Sequence, residues 1–248
     1  MSLIYSNDYL KIIEEKNKIF KIIFSYQNQS LINSLLKTKI IQGGTSTNDF
    51  KIIKFKADSV KSLYQFQEEK KKETGKKQLH INNVASLIKT LTTQLTFLLT
   101  RERRTIIGYS PENIIVINDK IYAHIGSELI SNKLENNMAL ISYPFTSHDF
   151  FVSPELLTIK ELPSYIHYKT AYFSLGCLAL YTLLSDNEFY INYLKDQDQD
   201  QDQEQKQPQE PINLENLLKF HPIKHTKLYW LLSRCLMKDP HLRSILFI

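Results

Sequence analysis

A short polar cluster interrupts the apolar stretch 106–116. Ser110, Glu112 and Asn113 lie within four positions of one another, and His124 follows eleven residues after Asn113. Hydroxyl, carboxylate, carboxamide and imidazole are groups from which proton transfer or metal binding is built. Each also has a plain structural use. Asn113, a short polar side chain beside a turn, is suited to hydrogen-bonding the loop backbone. A lone His124 with no second ligand at suitable spacing reads as a packed or surface imidazole rather than a metal site. Glu155 and Arg243 stand out differently, as charges in otherwise apolar segments that a buried ion pair would explain. Asp196, Asp198 and Asp200 echo a calcium loop, but Gln201 occupies the position that needs Gly and Gln207 the position of the closing Glu, so no metal is expected there.

The elements that must position these groups can be read from pattern. Residues 9–13 and 18–24 are β-rich runs around Glu15-Lys16-Asn17, and 40–41 and 50–56 flank Gly43-Gly44, so two hairpins and a four-stranded antiparallel sheet are expected. The pattern predicts helices over 25–37 and 59–72. A third, over 81–101, carries Val84, Leu87, Ile88, Leu91, Leu95, Leu98 and Leu99 on one stripe. Residues 172–184 are apolar nearly all round, the mark of a helix buried on every side. A further strand pair is expected around Asn118-Asp119.

Composition sets outer bounds. The chain has 248 residues, 42% hydrophobic and 23% charged, enough for one substantial soluble domain. No apolar run reaches the length of a membrane span, and residues 1–30 lack a signal-peptide pattern. Cys177 and Cys235 lie in apolar helical contexts, which fits free buried thiols in a reducing compartment. The net charge of +5 names no partner. Lys70, Lys71, Lys72, Lys76 and Lys77, with Arg101, Arg103 and Arg104, could form a basic face for nucleic acid, but no interleaved aromatic platform accompanies them and a solvated helix end is the simpler reading. The Asp-Gln repeat running into Gln, Glu and Pro at about 195–211 is too polar to bury and is expected to be a disordered insert.

Several short motifs, in order, resemble those of the protein kinase superfamily in a degenerate form. The run 106–116 is similar to the catalytic loop H-R-D-L-x-x-x-N, with Gly108 at the position of the catalytic Asp, Ser110 at that of a phosphate-contacting Lys, and Asn113 at that of the metal-binding Asn. His124-Ile125-Gly126 falls where the family has D-F-G, which puts His124 at the metal Asp and retains only Gly126. Ser153-Pro154-Glu155 resembles A-P-E. Phe173-Ser174-Leu175-Gly176-Cys177 resembles the opening of the long central helix, with Ala171 at its loop-anchoring Asp. The run 235–243 resembles the closing motif whose Arg, here Arg243, pairs with the A-P-E Glu, here Glu155. The resemblance implies an α+β, protein-kinase-like two-lobed fold. Its parts would be a reduced N-terminal antiparallel sheet over 1–57 and a mainly helical C-lobe over 58–248. It also implies structural roles for Glu155, Arg243, Gly126 and Gly176.

The nucleotide-binding Lys of the family has two candidate positions. In one register Lys21 occupies it, residues 25–37 form the regulatory helix, and 59–72 is the first C-lobe helix. In the other, 42–47 is a Gly-rich loop, Lys54 is the Lys, and Glu68 or Glu69 is its partner. The first leaves more chain for the remaining strands and is preferred. It places no acidic residue in 25–39 and no G-x-G-x-x-G in the first hairpin.

The expected function is therefore that of a pseudokinase, a kinase-fold protein without phosphoryl transfer that acts by binding or scaffolding a protein partner, such as another kinase. No intact catalytic residue and no cofactor are expected, though Lys21 and Asn113 leave room for residual ATP binding without magnesium. Two alternatives stay open. One is a divergent serine/threonine kinase that recruits Glu112, Asp119 or Glu128 as a substitute acid, and the other a nucleic-acid binder using the basic patch. The Ile, Lys and Asn bias and the run 230–236 also resemble kinase-like proteins of giant DNA viruses. A cytoplasmic location follows as the expectation, in host cytoplasm or virion if the source is viral.

Overall fold

The computed structural model describes residues 1–145, 149–184 and 223–245. The chain is mixed α+β, with a small antiparallel N-terminal sheet followed mostly by helices. The insert expected at 195–211 lies outside the described residues.

The first hairpin joins β2 (Leu10–Glu15) to β3 (Ile19–Phe24), with the reversal made by Asn17 and Lys18 at φ 62° and 58°. A strand that the pattern did not reveal, β1 (Ser2–Ser6), adds to the outer edge of β2. The second hairpin differs from expectation. Ile40 and Ile41 are buried but form no strand, because the backbone there closes helix α1 (Gln29–Lys37): Lys39 N donates to Leu36 O at 3.1 Å and Ile41 N to Leu35 O at 3.0 Å. A residue in that role has no N–H left for a ladder. The partner of β5 (Ile52–Lys56) is instead the two-residue β4 (Thr45–Ser46), so the sheet has five strands in the order β1-β2-β3-β5-β4. Alternation along it buries Ile12, Phe20, Ile22, Phe24, Ile53 and Phe55 in one cluster with Leu31, Ile32 and Leu35 of α1.

The helix expected over 59–72 is split. Residues Val60–Ser62 form strand β6, and helix α2 (Leu63–Thr74) starts only after Ser62, whose hydroxyl caps Gln65 N while the Gln65 side chain returns to Ser62 N. That reciprocal capping box fixes the start of the helix. Helix α3 (Ile81–Phe97) buries Val84, Leu87, Ile88, Leu91 and Leu95 of the predicted stripe and widens into a π-helical turn, Leu98–Glu102, where Leu98 is buried and Leu99 partly so, and which ends on Arg103 at φ 52°.

Strands β7 (Ile114–Ile117) and β8 (Ile121–His124) are joined by Asn118 and Asp119 at φ 51° and 57°, the two left-handed residues that a tight hairpin of this twist requires. The Asn118 carboxamide oxygen also accepts from Asp58 N at 2.7 Å and Ser59 N at 3.2 Å, which brings β6 into register beside β7. This hairpin is buried on both faces. Ile114, Val116 and Tyr122 join the larger cluster under α3, whereas Ile115, Ile117 and Ala123 join the cluster under the N-terminal sheet.

Downstream come β9 (Met138–Ile141), α4 (Pro154–Leu157), β10 (Ser164–His167), α5 (Thr170–Leu183) and α6 (Lys227–Cys235). As the sequence predicts, α5 is buried nearly all round, with Tyr172 its one partly exposed residue. A Cβ on Gly176 would lie 3.0–3.2 Å from Leu236 and Cys235, so the small residue sets how closely α5 approaches the end of α6.

Candidate functional site

The loop from Gly108 to Asn113, the end of β8 and the turn at Gly126–Glu128 come together beneath α3. Gly108 is buried, and a Cβ built on it would overlap the ring of Phe150. The space beside this backbone, where a larger residue would project, is filled by an aromatic side chain from further along the chain. The loop is also firmly held. Tyr109 N donates to the Ser174 hydroxyl at 2.6 Å, Phe151 N donates to Tyr109 O at 3.0 Å, and the Thr170 hydroxyl donates to Ile107 O at 3.3 Å. Ala171 offers no carboxylate, yet its neighbours Thr170 and Ser174 provide neutral anchors. The loop is therefore anchored without a carboxylate.

Asn113 does not bond the loop backbone through its side chain, as its position beside a turn suggested. Its Nδ2 donates to the Glu128 carboxylate at 2.7 Å. Gly126 makes that approach possible, since a Cβ there would lie 2.7 Å from the Asn113 carboxamide. Burial pushes the Glu128 carboxyl above the ordinary range, partly opposed by hydrogen bonds from its own backbone and from Asn113, and its Oε2 is buried without a partner. Glu112 is exposed at the lip of the cluster, where Ser110 caps the turn that carries it by accepting from Glu112 N. Asp119, another candidate acid, is distant in function: it sits on the β7–β8 turn and pairs with Lys61 at 3.0 Å.

His124 is a packed imidazole. It is fully buried, its ring meets Tyr109 edge-on at 5.4 Å, and Nε2 lies 2.9 Å from Gly126 O. That acceptor requires Nε2 to carry the proton, so Nδ1, which has no partner, is the bare nitrogen. Desolvation holds the imidazole at a pKa of about 4. Among the described residues no group of three or more His, Cys, Asp or Glu side chains is placed to hold a metal ion.

Gln94 is the residue that sequence reasoning missed. From α3 it accepts from His124 N at 3.0 Å and donates to His124 O at 2.9 Å and to the Ser34 hydroxyl of α1 at 3.1 Å, joining three elements through one buried carboxamide. The available signal was a Gln three residues after Leu91 on the apolar stripe. Helix α1 is also tied from outside: Glu102, on the π-helical turn, accepts from the Ser30 hydroxyl at 3.2 Å and from Asn33 Nδ2 at 3.3 Å.

Lys21 is not part of this cluster. It alternates with the buried Phe20 and Ile22 and therefore leaves β3 on the opposite face, where it pairs with Glu15 at 2.7 Å. A nucleotide role beside Asn113 is incompatible with that direction. The inner face, where such a Lys would need to point, is apolar and shares one cluster with Ile115, Ile117, Ala123 and Ile125. The basic patch is similarly reduced. Lys70 pairs with Glu73 at 2.7 Å, Lys77 with Glu68 at 3.7 Å, and Arg104 donates to Ser131 O at 2.7 Å.

Glu155 and Arg243 form a two-pronged pair, both guanidinium nitrogens reaching the carboxylate at 2.6 Å. Arg243 is wholly buried and also donates to Met237 O at 2.7 Å and Lys238 O at 2.8 Å, with its guanidinium 5.0 Å from the Phe173 ring centre. An open pocket of about 720 Å³ lies beside this pair, lined among others by Ile159, Tyr165, His167 and His241, and away from Asn113 and His124.

The chain matches no protein-family model and no curated protein. No described helix is long and apolar enough to cross a membrane.

Two outcomes follow. Glu155→Ala or Arg243→Ala lowers folding stability by about 3 kcal/mol or more, because the first leaves the buried Arg243 charge uncompensated and the second leaves the partly buried Glu155 carboxylate unpaired and empties the guanidinium site. Urea unfolding measures this, and wild-type midpoints in both variants would refute a structural role for the pair. The second outcome concerns pH. Between His124's folded value near 4 and the roughly 6.5 of an exposed imidazole, the unfolded chain binds a proton that the folded chain does not. The His124 contribution is therefore fully present above about pH 6.5 and falls by about 3 kcal/mol as pH drops to about 4. Glu128, with a raised pKa, contributes in the opposite sense, so the informative quantity is the difference between wild type and His124→Gln. That variant should lose the His124 slope, and parallel stability profiles would exclude a buried neutral imidazole.

Proposed function

We propose that this chain is a pseudokinase: a kinase-like fold, with an N-lobe over 1–57 and a C-lobe over 58–248, that binds a protein partner and transfers no phosphate. The order of elements supports the resemblance. A β-sheet with an inserted α1, a linking strand β6, helices α2 and α3, a loop, the β7–β8 hairpin and a buried α5 follow in the sequence that the motifs imply.

The observation that carries the loss of catalysis is the Phe150 ring against Gly108. Phosphoryl transfer relies on positioned metals and on a carboxylate that orients the attacking hydroxyl. Here that carboxylate is absent and its space is occupied by an aromatic ring. The other requirements fail nearby: His124 is neutral and enclosed, Asn113 is engaged by Glu128, and Lys21 faces away. Partner binding, in contrast, needs only a stable, preorganised surface, which the buried hairpin and the Glu155–Arg243 pair support.

One observation favours a second reading. Glu128 is a partly enclosed carboxyl with a raised pKa and an unpaired oxygen beside Asn113, the features expected of a recruited acid or metal ligand. A divergent kinase built on Glu128 and Asn113 would bind ATP in a magnesium-dependent way.

A thermal-shift titration with ATP, with and without magnesium, separates the two, since a ligand of the native state raises apparent stability. The pseudokinase reading expects no magnesium-dependent stabilisation, and a clear shift requiring magnesium overturns it. A double variant, Gly108→Asp with His124→Asp, gives the complementary test. The Asp at 108 must expel Phe150, and the Asp at 124 buries a charge in the enclosed space of a neutral ring, so the variant should be less stable than wild type and inactive in a radiolabel transfer assay. Robust transfer by the double variant alone would show that the loop was already in a productive position.

A further inference from the structure

We propose that the outer face of the five-stranded sheet is a docking surface for an acidic, partly apolar segment of another protein, whose carboxylates are received by Lys11, Lys54 and Lys56. This rests on the partner-binding reading above and specifies its surface and partner chemistry.

Strand register lays out the face in three rows. Lys11, Ile23 and Ile52 make one, Ile13, Lys21 and Lys54 the next, and Glu15, Ile19 and Lys56 the third. Residues directly opposite in an antiparallel pair share a face. The surface therefore holds four lysines, four isoleucines and a single carboxylate, a net charge of three positive. Leu3, opposite Ile13 on β1 and 64% exposed, extends its apolar part.

An ordinary solvent face has no need of this arrangement. Such faces are polar, whereas here every row combines isoleucine with lysine. Lys21 and Lys54 are also direct cross-strand neighbours, and like charges in that position are destabilising. The molecule offsets this with Glu15, whose carboxylate lies 2.7 Å from Lys21 Nζ and 3.6 Å from Lys54 Nζ. Glu15 is in effect an internal sample of the ligand chemistry: a carboxylate seated between two lysines on a sheet. Lys54 is held at the longer distance with its side chain 49% exposed, and Lys11 and Lys56 are exposed and form no ion pair among the described residues. Three ammonium groups thus remain available to an incoming acid.

The other residue types decide the partner class. The three rows contain no aromatic side chain, so nucleic-acid bases would find no stacking platform. The isoleucines are only partly exposed between lysine stems, which gives a bilayer little to insert. A peptide that alternates acidic and apolar side chains matches both the charge and the spacing. The opposite face of the same strands is packed against α1 and β7–β8, so the rows are preorganised and little ordering cost attends binding.

The test measures fluorescence anisotropy of a short labelled peptide alternating Glu and Val, titrated with the full chain at low and high salt. A Lys-Val peptide, a single-stranded oligonucleotide and phosphatidylserine vesicles are run in parallel. The Glu-Val peptide alone should bind, more weakly as salt rises. Lys54→Glu with Lys56→Glu should weaken it by about tenfold or more. Ile23→Thr should also weaken it, with wild-type circular dichroism establishing that each variant folds, and Lys11→Glu serves if the double variant does not. No binding, equal binding by wild type and variants, or capture of the oligonucleotide or vesicles in preference to the peptide overturns the proposal. A silent peptide alongside no magnesium-dependent ATP stabilisation removes the docking face alone. Peptide binding alongside a magnesium-dependent shift removes the pseudokinase reading alone.

Discussion

The β7–β8 hairpin is the constraint on which the rest of the molecule depends. Two four-residue strands are buried on both faces, so each side chain belongs to one core or the other by simple alternation. A slip of one residue would exchange every assignment at once. The left-handed pair Asn118 and Asp119 prevents that slip at one end, and Gln94 holds His124 by both its N–H and its carbonyl at the other. Because the sheet above and the helices below share this hairpin, neither core is complete without it. The close packing that excludes solvent between them is the same packing that leaves the inner face of the sheet apolar.

That economy explains the character of the candidate site. Where an active centre would need charge and open space, the cluster around Gly108 is satisfied by neutral groups: hydroxyls from Thr170 and Ser174, a carboxamide from Gln94 and an imidazole held uncharged by burial. Neutral anchors avoid the large desolvation cost of an enclosed ion and keep the loop geometry without it. Charge is retained inside the fold chiefly in the Glu155–Arg243 pair, where two parallel hydrogen bonds and three backbone carbonyls fill the donor capacity of the guanidinium. Glu128 is the partly enclosed exception, with one oxygen unsatisfied.

How much of this was legible in the sequence depends on whether the signal was local. The stripe on α3, the all-round burial of α5, the Asn118-Asp119 turn and the two charges that pair across the fold are each marked by residue type or period, and each was readable. Ile40 and Ile41 were misread as a strand because two consecutive β-branched residues look the same whether they pair or cap a helix. Ser62 carried its capping box in plain view, yet the three residues before α2 were absorbed into the helix. Lys21 shows the reach of the problem: its strand was recognised, but which face it occupies is set by Phe20 and Ile22, not by any motif. The Phe150 contact with Gly108 and the Asn113–Glu128 bond join residues that only the folded chain brings together, and no short-range pattern announces them.

Both cysteines are buried, and Cys235 lies at the contact between α5 and α6 that Gly176 allows. Burial pushes the Cys235 thiol up to about 12, so near neutral pH the reactive thiolate is scarce while the contact is closed. An alkylating reagent therefore modifies Cys235 almost entirely through moments when its packing opens. The labelling rate of this native thiol therefore reports how readily its burial is opened, with no substitution needed to introduce the label site.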